Sequence, residues 1–171
     1  MTRLLIASLV LIAHIVGAQD VPLEYQVKAA YLFNFVKFVD WRPGRGNSAI
    51  AICVAGRNPF GDVLTETIRG ETVNGRPLQT RVILEPDPAC NVLFVPEGAA
   101  ASAYLRTARG MPVLTVGESK DFIEQGGIIQ FFLDQGKVRF EIDADAAERA
   151  DLHISSRLLR LGRDPERKGA E

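Results

Sequence analysis

The sequence has few of the side chains that enzymes commonly use for catalysis and metal binding. Its 171 residues include two histidines, and because His14 lies in an apolar N-terminal run, only His153 remains for the rest of the chain. A metal site built from several histidines is therefore excluded. The sequence also lacks the H-E-x-x-H, G-x-S-x-G, P-loop and paired-cysteine zinc patterns. Its acidic residues fall at predicted helix starts and on strand faces expected to meet solvent, so we predict a protein that is not an enzyme and has no cofactor or metal.

An excess of charge of either sign is also missing. Lysine and arginine together number 20 and aspartate and glutamate 21, which gives a net charge of −1 with both signs mixed along the chain. Binding to a nucleic acid polymer depends on a concentrated positive surface. We therefore do not expect a nucleic acid polymer as a partner.

Residues 1–18 have the pattern of a secretory signal peptide. Arg3 supplies an early positive charge, and a nearly unbroken apolar run extends from Leu4 to Val16 before a small-residue cleavage pattern. The alternative is an uncleaved anchor, but a run of roughly 14 apolar residues is shorter than the ~20 that a membrane-spanning helix needs. We expect export and removal of this segment.

The two cysteines, Cys53 and Cys90, would then reach an oxidising compartment. An even number of cysteines in an exported protein usually indicates a disulfide, which would add roughly 2–4 kcal/mol of stability. Two free buried cysteines and redox chemistry are the alternatives. Redox chemistry is less favoured, because neither cysteine lies in a C-x-x-C pattern and no histidine is near either of them in the sequence.

Three apolar runs, at 49–56, 91–96 and 112–117, have the length and composition of strands that are buried on both faces. Helical patterns separate them, and this order is typical of a parallel sheet with helices on both faces. We expect a single α/β domain over 19–162 with a mostly parallel central sheet. The remaining residues, 163–171, are predicted to be a disordered tail because they are too polar to fold.

Two tight hairpins are predicted within this domain. Asn74-Gly75 is the strongest two-residue hairpin signal, and 134–137 is a second turn between apolar strands. The second hairpin is expected to add antiparallel strands at one edge of the sheet. In its last strand, residues that cover the core alternate with residues that face solvent. The core set is Val138, Phe140 and Ile142, and the solvent set is Lys137, Arg139 and Glu141.

The segment 24–41 predicts an amphipathic helix with an unusually wide apolar face. One interpretation is that this face only fills the core of the domain. The other is that the excess of apolar surface binds a second copy of the chain or another protein, because a helix on a sheet buries only about half of its circumference. The candidate interface residues are Tyr31, Phe33, Phe35, Phe38 and Trp41.

A polar cluster lies at the start of the last predicted helix, which extends from Ser155 to Gly162. A helix start exposes N–H groups and a partial positive charge, which favour a carboxylate or phosphate of a small anionic ligand. The alternative is that the serines only cap the helix and the arginine pairs with a surface acid. The candidate ligand-binding residues are Arg42, His153, Ser155, Ser156 and Arg157. Arg42 joins the cluster only if the first and last helices lie together.

Four segments of the chain together resemble the sequence pattern of one known family. They are EYQVKAAYLFNFVKFVDW, AICVAGRNPFG, CNVLFV and GGIIQFFLDQGKVRFEIDADAAERADLHISSRLLRLG. Over residues 24–162 the chain resembles the YfiR family of bacterial periplasmic proteins. Two positions depart from the family pattern: Arg42 stands before a proline that often comes directly after the tryptophan, and Asn91 stands where a histidine is commoner. Arg42 is therefore not treated as a family trait.

The resemblance implies a periplasmic regulator without catalytic activity. Characterised relatives bind the periplasmic sensor region of an inner-membrane diguanylate cyclase and repress it, which lowers cyclic di-GMP and restrains biofilm formation. Release responds to the redox state of the periplasm, dimers are common, and Cys53 and Cys90 resemble the positions of a family disulfide. We therefore expect a redox-sensitive periplasmic repressor that forms a homodimer. The alternative is a periplasmic sensor module for a small molecule such as a nucleotide or an amino acid.

Overall fold

The computed structural model describes residues 21–40 and 49–163 of the chain. The predicted features outside the described residues are the signal peptide at 1–18, Trp41, Arg42 and the tail residues 164–171. The helices are α1 (Leu23–Phe38), α2 (Val63–Ile68), α3 (Ala101–Ala108), α4 (Ala144–Arg149) and α5 (Ser156–Leu159). The strands are β1 (Val39–Asp40), β2 (Ile50–Ala55), β3 (Thr72–Val73), β4 (Arg76–Ile83), β5 (Val92–Val95), β6 (Leu114–Gly117), β7 (Ile129–Asp134), β8 (Lys137–Ile142) and β9 (His153–Ile154).

Seven of these strands form one sheet, in the order β3-β4-β2-β5-β6-β7-β8. The four pairings from β4 to β7 are parallel, and the outer pairs β3–β4 and β7–β8 are antiparallel. A separate two-stranded antiparallel sheet joins β1 to β9. The predicted α/β fold is confirmed, including its mostly parallel sheet and the antiparallel C-terminal hairpin at one edge.

The central strands are apolar throughout because both faces of the sheet are covered. Successive side chains of a strand point to opposite faces, and in β2 the side chains of Ile52 and Val54 enter one core while those of Cys53 and Ala55 enter another. Helices α1, α2, α4 and α5 contribute buried residues to the first core, and α3 contributes to the second. The helices therefore lie on both faces, as predicted.

Phe122 fills the second core beyond the end of β6. Its ring is fully buried and lies against the backbone of Gly117 on one side and Gly127 on the other, so a methyl group on either glycine would overlap the ring. The ring position therefore depends on the missing side chains of both glycines. This contact fixes the course of the loop between β6 and β7.

Both predicted hairpin turns are confirmed, and both use left-handed backbone at two successive residues. The φ angles are 52° at Asn74 and 74° at Gly75, and 49° at Gln135 and 72° at Gly136. A two-residue turn with this pair of angles matches the twist of the flanking strands. The second turn places β8 beside β7 at the edge of the sheet.

The first helix is shorter than the sequence predicted. It ends at Phe38, and Val39, which was expected on the helix, has the extended angles φ −110° and ψ 128°. Val39 instead pairs with Ile154 in the two-stranded sheet. The hydrogen bonds of this pairing and the preference of a β-branched side chain for extended backbone favour the change.

The predicted alternation of β8 is wrong at Glu141. This residue was expected to face solvent, but it is 1% exposed. The cause is the chain end, because Arg163 lies alongside β8 and forms a parallel bridge with Glu141. Backbone hydrogen bonds of 3.2 Å and 3.0 Å link Arg163 to Ile142 and Phe140. Arg163 therefore belongs to the fold, although the predicted tail included it.

Candidate functional site

The end of α1 lies against the start of α5. Asp40 pairs with His153 across the small sheet, and the backbone N–H of Ser155 donates to the carbonyl of Phe38 at 2.9 Å. The guanidinium of Arg157 lies 5.9 Å from the centre of the Phe38 ring. The first and last helices are therefore neighbours, which is the condition that was set for Arg42 to join the ligand cluster.

The described residues of that cluster lie together at this junction, and they are His153, Ser155, Ser156 and Arg157. Ser155 caps α5, because its hydroxyl oxygen accepts a hydrogen bond from the N–H of Leu158 at 3.3 Å. The exposed members of the cluster are His153, Ser156 and Arg157. Helix α5 has only four residues, so capping fully accounts for Ser155 and anion binding stays a prediction.

Two of the predicted interface aromatics pack into the domain. Phe35 is fully buried, and the centre of its ring lies 5.7 Å from that of Phe131 and 5.0 Å from that of Phe140. Tyr31 is half-buried, with its ring centre 5.2 Å from that of Phe140. Phe35 is therefore a core residue, and Tyr31 is only partly available to a partner.

Phe33 and Phe38 form the outer part of the same helix. Both are half-buried, and a cation lies near each ring. Lys37 Nζ lies 3.7 Å from the centre of the Phe33 ring, and the Arg157 guanidinium lies 5.9 Å from the centre of the Phe38 ring. Such contacts contribute about 0.5–1 kcal/mol at exposed sites. We call Phe33, Lys37, Phe38 and Arg157 the aromatic surface.

The predicted disulfide between Cys53 and Cys90 is present, with the two Cα atoms 5.8 Å apart. Both residues are buried in the second core, at 0% and 1% exposure. The bond links the middle of β2 to the segment that directly precedes β5. Neither sulfur is accessible to a reductant while the domain stays folded, so thiol redox chemistry, the second of the two alternatives, has no geometric support.

The backbone around Cys90 is held by side chains on both sides. Asp87 accepts from the N–H of Ala89 at 2.8 Å and from the guanidinium of Arg81 at 2.6 Å. The Ala89 N–H first, and then Arg81, hold the pKa of Asp87 below its usual value. On the other side, the side-chain oxygen of Asn91 accepts from the N–H of Ala51 at 3.0 Å, so strand β5 begins in fixed register with β2.

A buried ionic cluster, which the sequence did not predict, joins α1 to the end of β6. The ammonium of Lys28 donates to Glu118 and to Glu24, and the Lys28 and Glu118 side chains are 5% and 6% exposed. Glu118 also accepts from the N–H of Glu97 at 2.9 Å and from the hydroxyl of Tyr25 at 3.3 Å. One carboxylate thus connects α1, the loop after β5 and the end of β6.

A sequence signal for this cluster did exist. Lys28 lies in the apolar stripe with Leu32 and Phe35, at the i, i+4 and i+7 positions of one helix face. A lysine at such a position is buried only if a carboxylate meets it. Glu24, one turn earlier, is the local partner, but Glu118 is 90 residues away and only the fold brings it near.

The cluster changes the titration of Tyr25. Burial, and next the negative charges of Glu118 and Glu24, raise the pKa of this phenol to about 12. The ring of Tyr25 also lies 4.7 Å from Lys28 Nζ and meets the ring of Phe60 edge-on. Tyr25 is therefore neutral at every physiological pH, and its hydroxyl acts as a donor to Glu118.

A crevice of about 1000 Å³ opens beside this cluster, at the carboxyl ends of β2 and β5. Its walls are the loop after β2, the loop after β5 and the start of α1. The residues that matter chemically are Tyr25, Arg57, Asn58 and Glu97. Asn58 is occupied in its own turn, because its side chain bonds to the backbone of Gly61 and Phe60.

Within residues 21–40 and 49–163, no helix combines the length and the apolar character needed to cross a membrane. The same residues contain no group of three or more His, Cys, Asp or Glu side chains arranged to hold a metal ion.

Comparison with protein families gives one clear match. The family model described as YfiR/HmsC-like covers residues 25–163, which is most of the chain, and the chain belongs to this family. The family consists of regulatory proteins of the periplasm, of the kind that acts on diguanylate cyclases. No curated protein matches the chain in a sequence search.

Proposed function

We propose that this protein is a periplasmic repressor that binds the sensor region of an inner-membrane diguanylate cyclase and thereby lowers cyclic di-GMP. Membership of the YfiR/HmsC-like family is the observation that carries the proposal. The apolar excess on α1 supports it, because Phe33 and Phe38 keep part of their rings exposed after the domain has filled its core.

The aromatic surface is the proposed contact with the cyclase. Interface hot spots are often aromatic or arginine side chains that are only partly covered in the free protein. Lys37 and Arg157 lie over the rings of Phe33 and Phe38, so a partner with acidic side chains would bind the cations and cover the rings together. Trp41 follows closely in the sequence and is included in the proposed interface, whereas Phe35 is left to the core.

The same surface is proposed to form the homodimer. Because the same side chains cannot contact a second copy and the cyclase at once, dimer formation and cyclase binding would compete. Sedimentation at several protein concentrations would measure the dimer, and adding the isolated sensor region should shift it to a heterocomplex.

Binding of the purified cyclase sensor region to Phe33→Ala and Phe38→Ala tests the proposal. We expect each substitution to weaken binding roughly 10- to 100-fold, in the range of an interface hot spot. The matched control is Leu84→Ala, because Leu84 is 82% exposed and follows β4, near the opposite edge of the sheet. Equal affinities for all three variants and the unmodified protein, at unchanged melting temperature, would refute the aromatic surface as the contact.

The second candidate function is a periplasmic sensor for a small anionic molecule. The β1–β9 pairing favours it, because it brings the end of β1, two residues before Arg42 in the sequence, beside His153. The proposed binding residues are Arg42, His153, Ser155, Ser156 and Arg157. Calorimetry with nucleotides and acidic metabolites would decide: no heat with any of them leaves helix capping as the role of the serines.

A further inference from the structure

The crevice lies where the sheet topology changes direction. Strands β2 and β5 are parallel neighbours, but the helix after β2 packs into the first core and the helix after β5 packs into the second. The chain therefore leaves the two strands toward opposite faces of the sheet. In open parallel sheets, the gap formed at such a point, outside the carboxyl ends of the strands, is the usual place for a ligand.

Each of the two loops that wall the crevice contributes one charged side chain to its lining, and the two charges have opposite sign. Arg57 is exposed in the loop after β2, and Glu97 is exposed in the loop after β5. Neither side chain has an ion-pair partner in the described part of the chain, and they do not pair with each other. Both charges are therefore available to a molecule in the crevice.

The wall that carries Glu97 is held rigidly. Its backbone N–H donates to Glu118, which is fixed in turn by Lys28 and Tyr25. A buried ion pair of this kind does not by itself increase stability, because desolvation offsets much of the attraction. It does fix geometry, and here it fixes the distance between α1 and the loop after β5, which both line the crevice. A preorganised wall lowers the entropy lost when a ligand binds.

We propose that this crevice is a binding site for a small zwitterion, a molecule that carries both an ammonium and an acidic group. The acidic group binds the Arg57 guanidinium and the ammonium binds the Glu97 carboxylate, with the apolar part against Tyr25 and the prolines of the two loops. A ligand with a single charge would leave either Arg57 or Glu97 without a partner of opposite charge. The volume of about 1000 Å³ is at the upper end of the range for small-molecule pockets, so a small zwitterion occupies only part of the crevice. The site is separate from the aromatic surface and from the ligand cluster that contains His153.

A homologous series of ω-amino acids provides the probe. Calorimetry with glycine, β-alanine, 4-aminobutanoate and 6-aminohexanoate varies the separation of the two charges, while butylamine and butanoate supply each charge alone. We expect one member of the series to bind at least tenfold more tightly than either single-charge compound. If no zwitterion binds more tightly than these two, the charges are only solvated and the proposal is overturned.

The binding member is then tested against Arg57→Gln and Glu97→Gln. Each should weaken binding about 10- to 100-fold, the usual effect of losing one charged hydrogen bond. Arg139→Gln and Glu148→Gln, exposed positions on β8 and α4, should leave the affinity unchanged. The double exchange Arg57→Glu with Glu97→Arg should recover binding, because the ligand can reverse its orientation. Binding that is insensitive to both single neutralisations would place the ligand elsewhere and refute the site.

Discussion

The disulfide provides the sharpest quantitative prediction. Cys53 and Cys90 are 37 residues apart in sequence, and the loop-closure entropy for a loop of that length corresponds to roughly 4 kcal/mol at 25 °C. We therefore expect reduced protein, and the Cys53→Ser/Cys90→Ser variant, to lose about that much free energy of unfolding. For a domain of this size the loss corresponds to a fall in melting temperature of roughly 8–15 °C.

Urea unfolding of three samples measures this loss. The oxidised protein is the reference, and reduced wild type refolded in a phosphine reductant is the matched control because it removes the bond without removing an atom. The serine variant should agree with the reduced protein to within the effect of two buried hydroxyls. A loss below about 1 kcal/mol in both samples would show that the unfolded chain is not restricted by the bond, and the loop-entropy reasoning would fail.

The rate of reduction separates a structural disulfide from a redox switch. Because both sulfurs are buried, a thiol reagent reaches them only when the domain opens locally or globally. We expect the native protein to resist millimolar dithiothreitol for times in which the urea-unfolded protein is fully reduced, measured by alkylation and mass spectrometry. Equally fast reduction in both conditions would contradict the buried location and would favour redox control of cyclase binding.

Three other substitutions or titrations test the packing of the domain. Lys28→Met should lower the free energy of unfolding by about 3–5 kcal/mol, because it leaves Glu118 buried without its cation. The double variant Lys28→Met with Glu118→Leu should recover much of that loss. Equal unfolding free energies for the single and double variants would contradict a buried pair. In Gly127→Ala the added methyl group should overlap the Phe122 ring and lower the melting temperature by several degrees. A soluble variant with an unchanged melting temperature would show that the ring can move. Ultraviolet titration of the native protein should give the Tyr25 phenol a pKa of about 12. Since the unfolded phenol has a pKa near 10, the contribution of Tyr25 to stability is complete below about pH 10 and is lost as the pH rises toward 12. A pKa near 10 in the native protein would refute the cluster around Tyr25.

Local pattern was sufficient to predict much of the fold. The buried strands, the two hairpin turns and the order of helices follow from apolar runs and from residue pairs such as Asn74-Gly75, which act over a few positions. The disulfide could be expected from the number of cysteines and the signal peptide pattern. These features depend on residues that are close in the sequence, and a sequence pattern contains that information.

The errors arose where distant segments meet. Glu141 was placed in solvent because alternation along β8 says nothing about Arg163, which covers it. Val39 was placed on the helix because its partner Ile154 lies at the other end of the chain. The Glu118 cluster and the crevice were missed for the same reason: each is assembled from the start of α1 and from loops more than 30 residues away.

The small β1–β9 sheet has a consequence for how the chain acquires its structure. A polypeptide emerges from the ribosome or the export channel amino end first, so α1 precedes by more than 100 residues the strand and helix that must cover its last turn. Until residues 153–158 are present, the ring of Phe38 is open to solvent or to a chaperone. The native state therefore cannot form progressively from its first residue, and chains that stop short of the final helix should be recognised as unfinished and degraded.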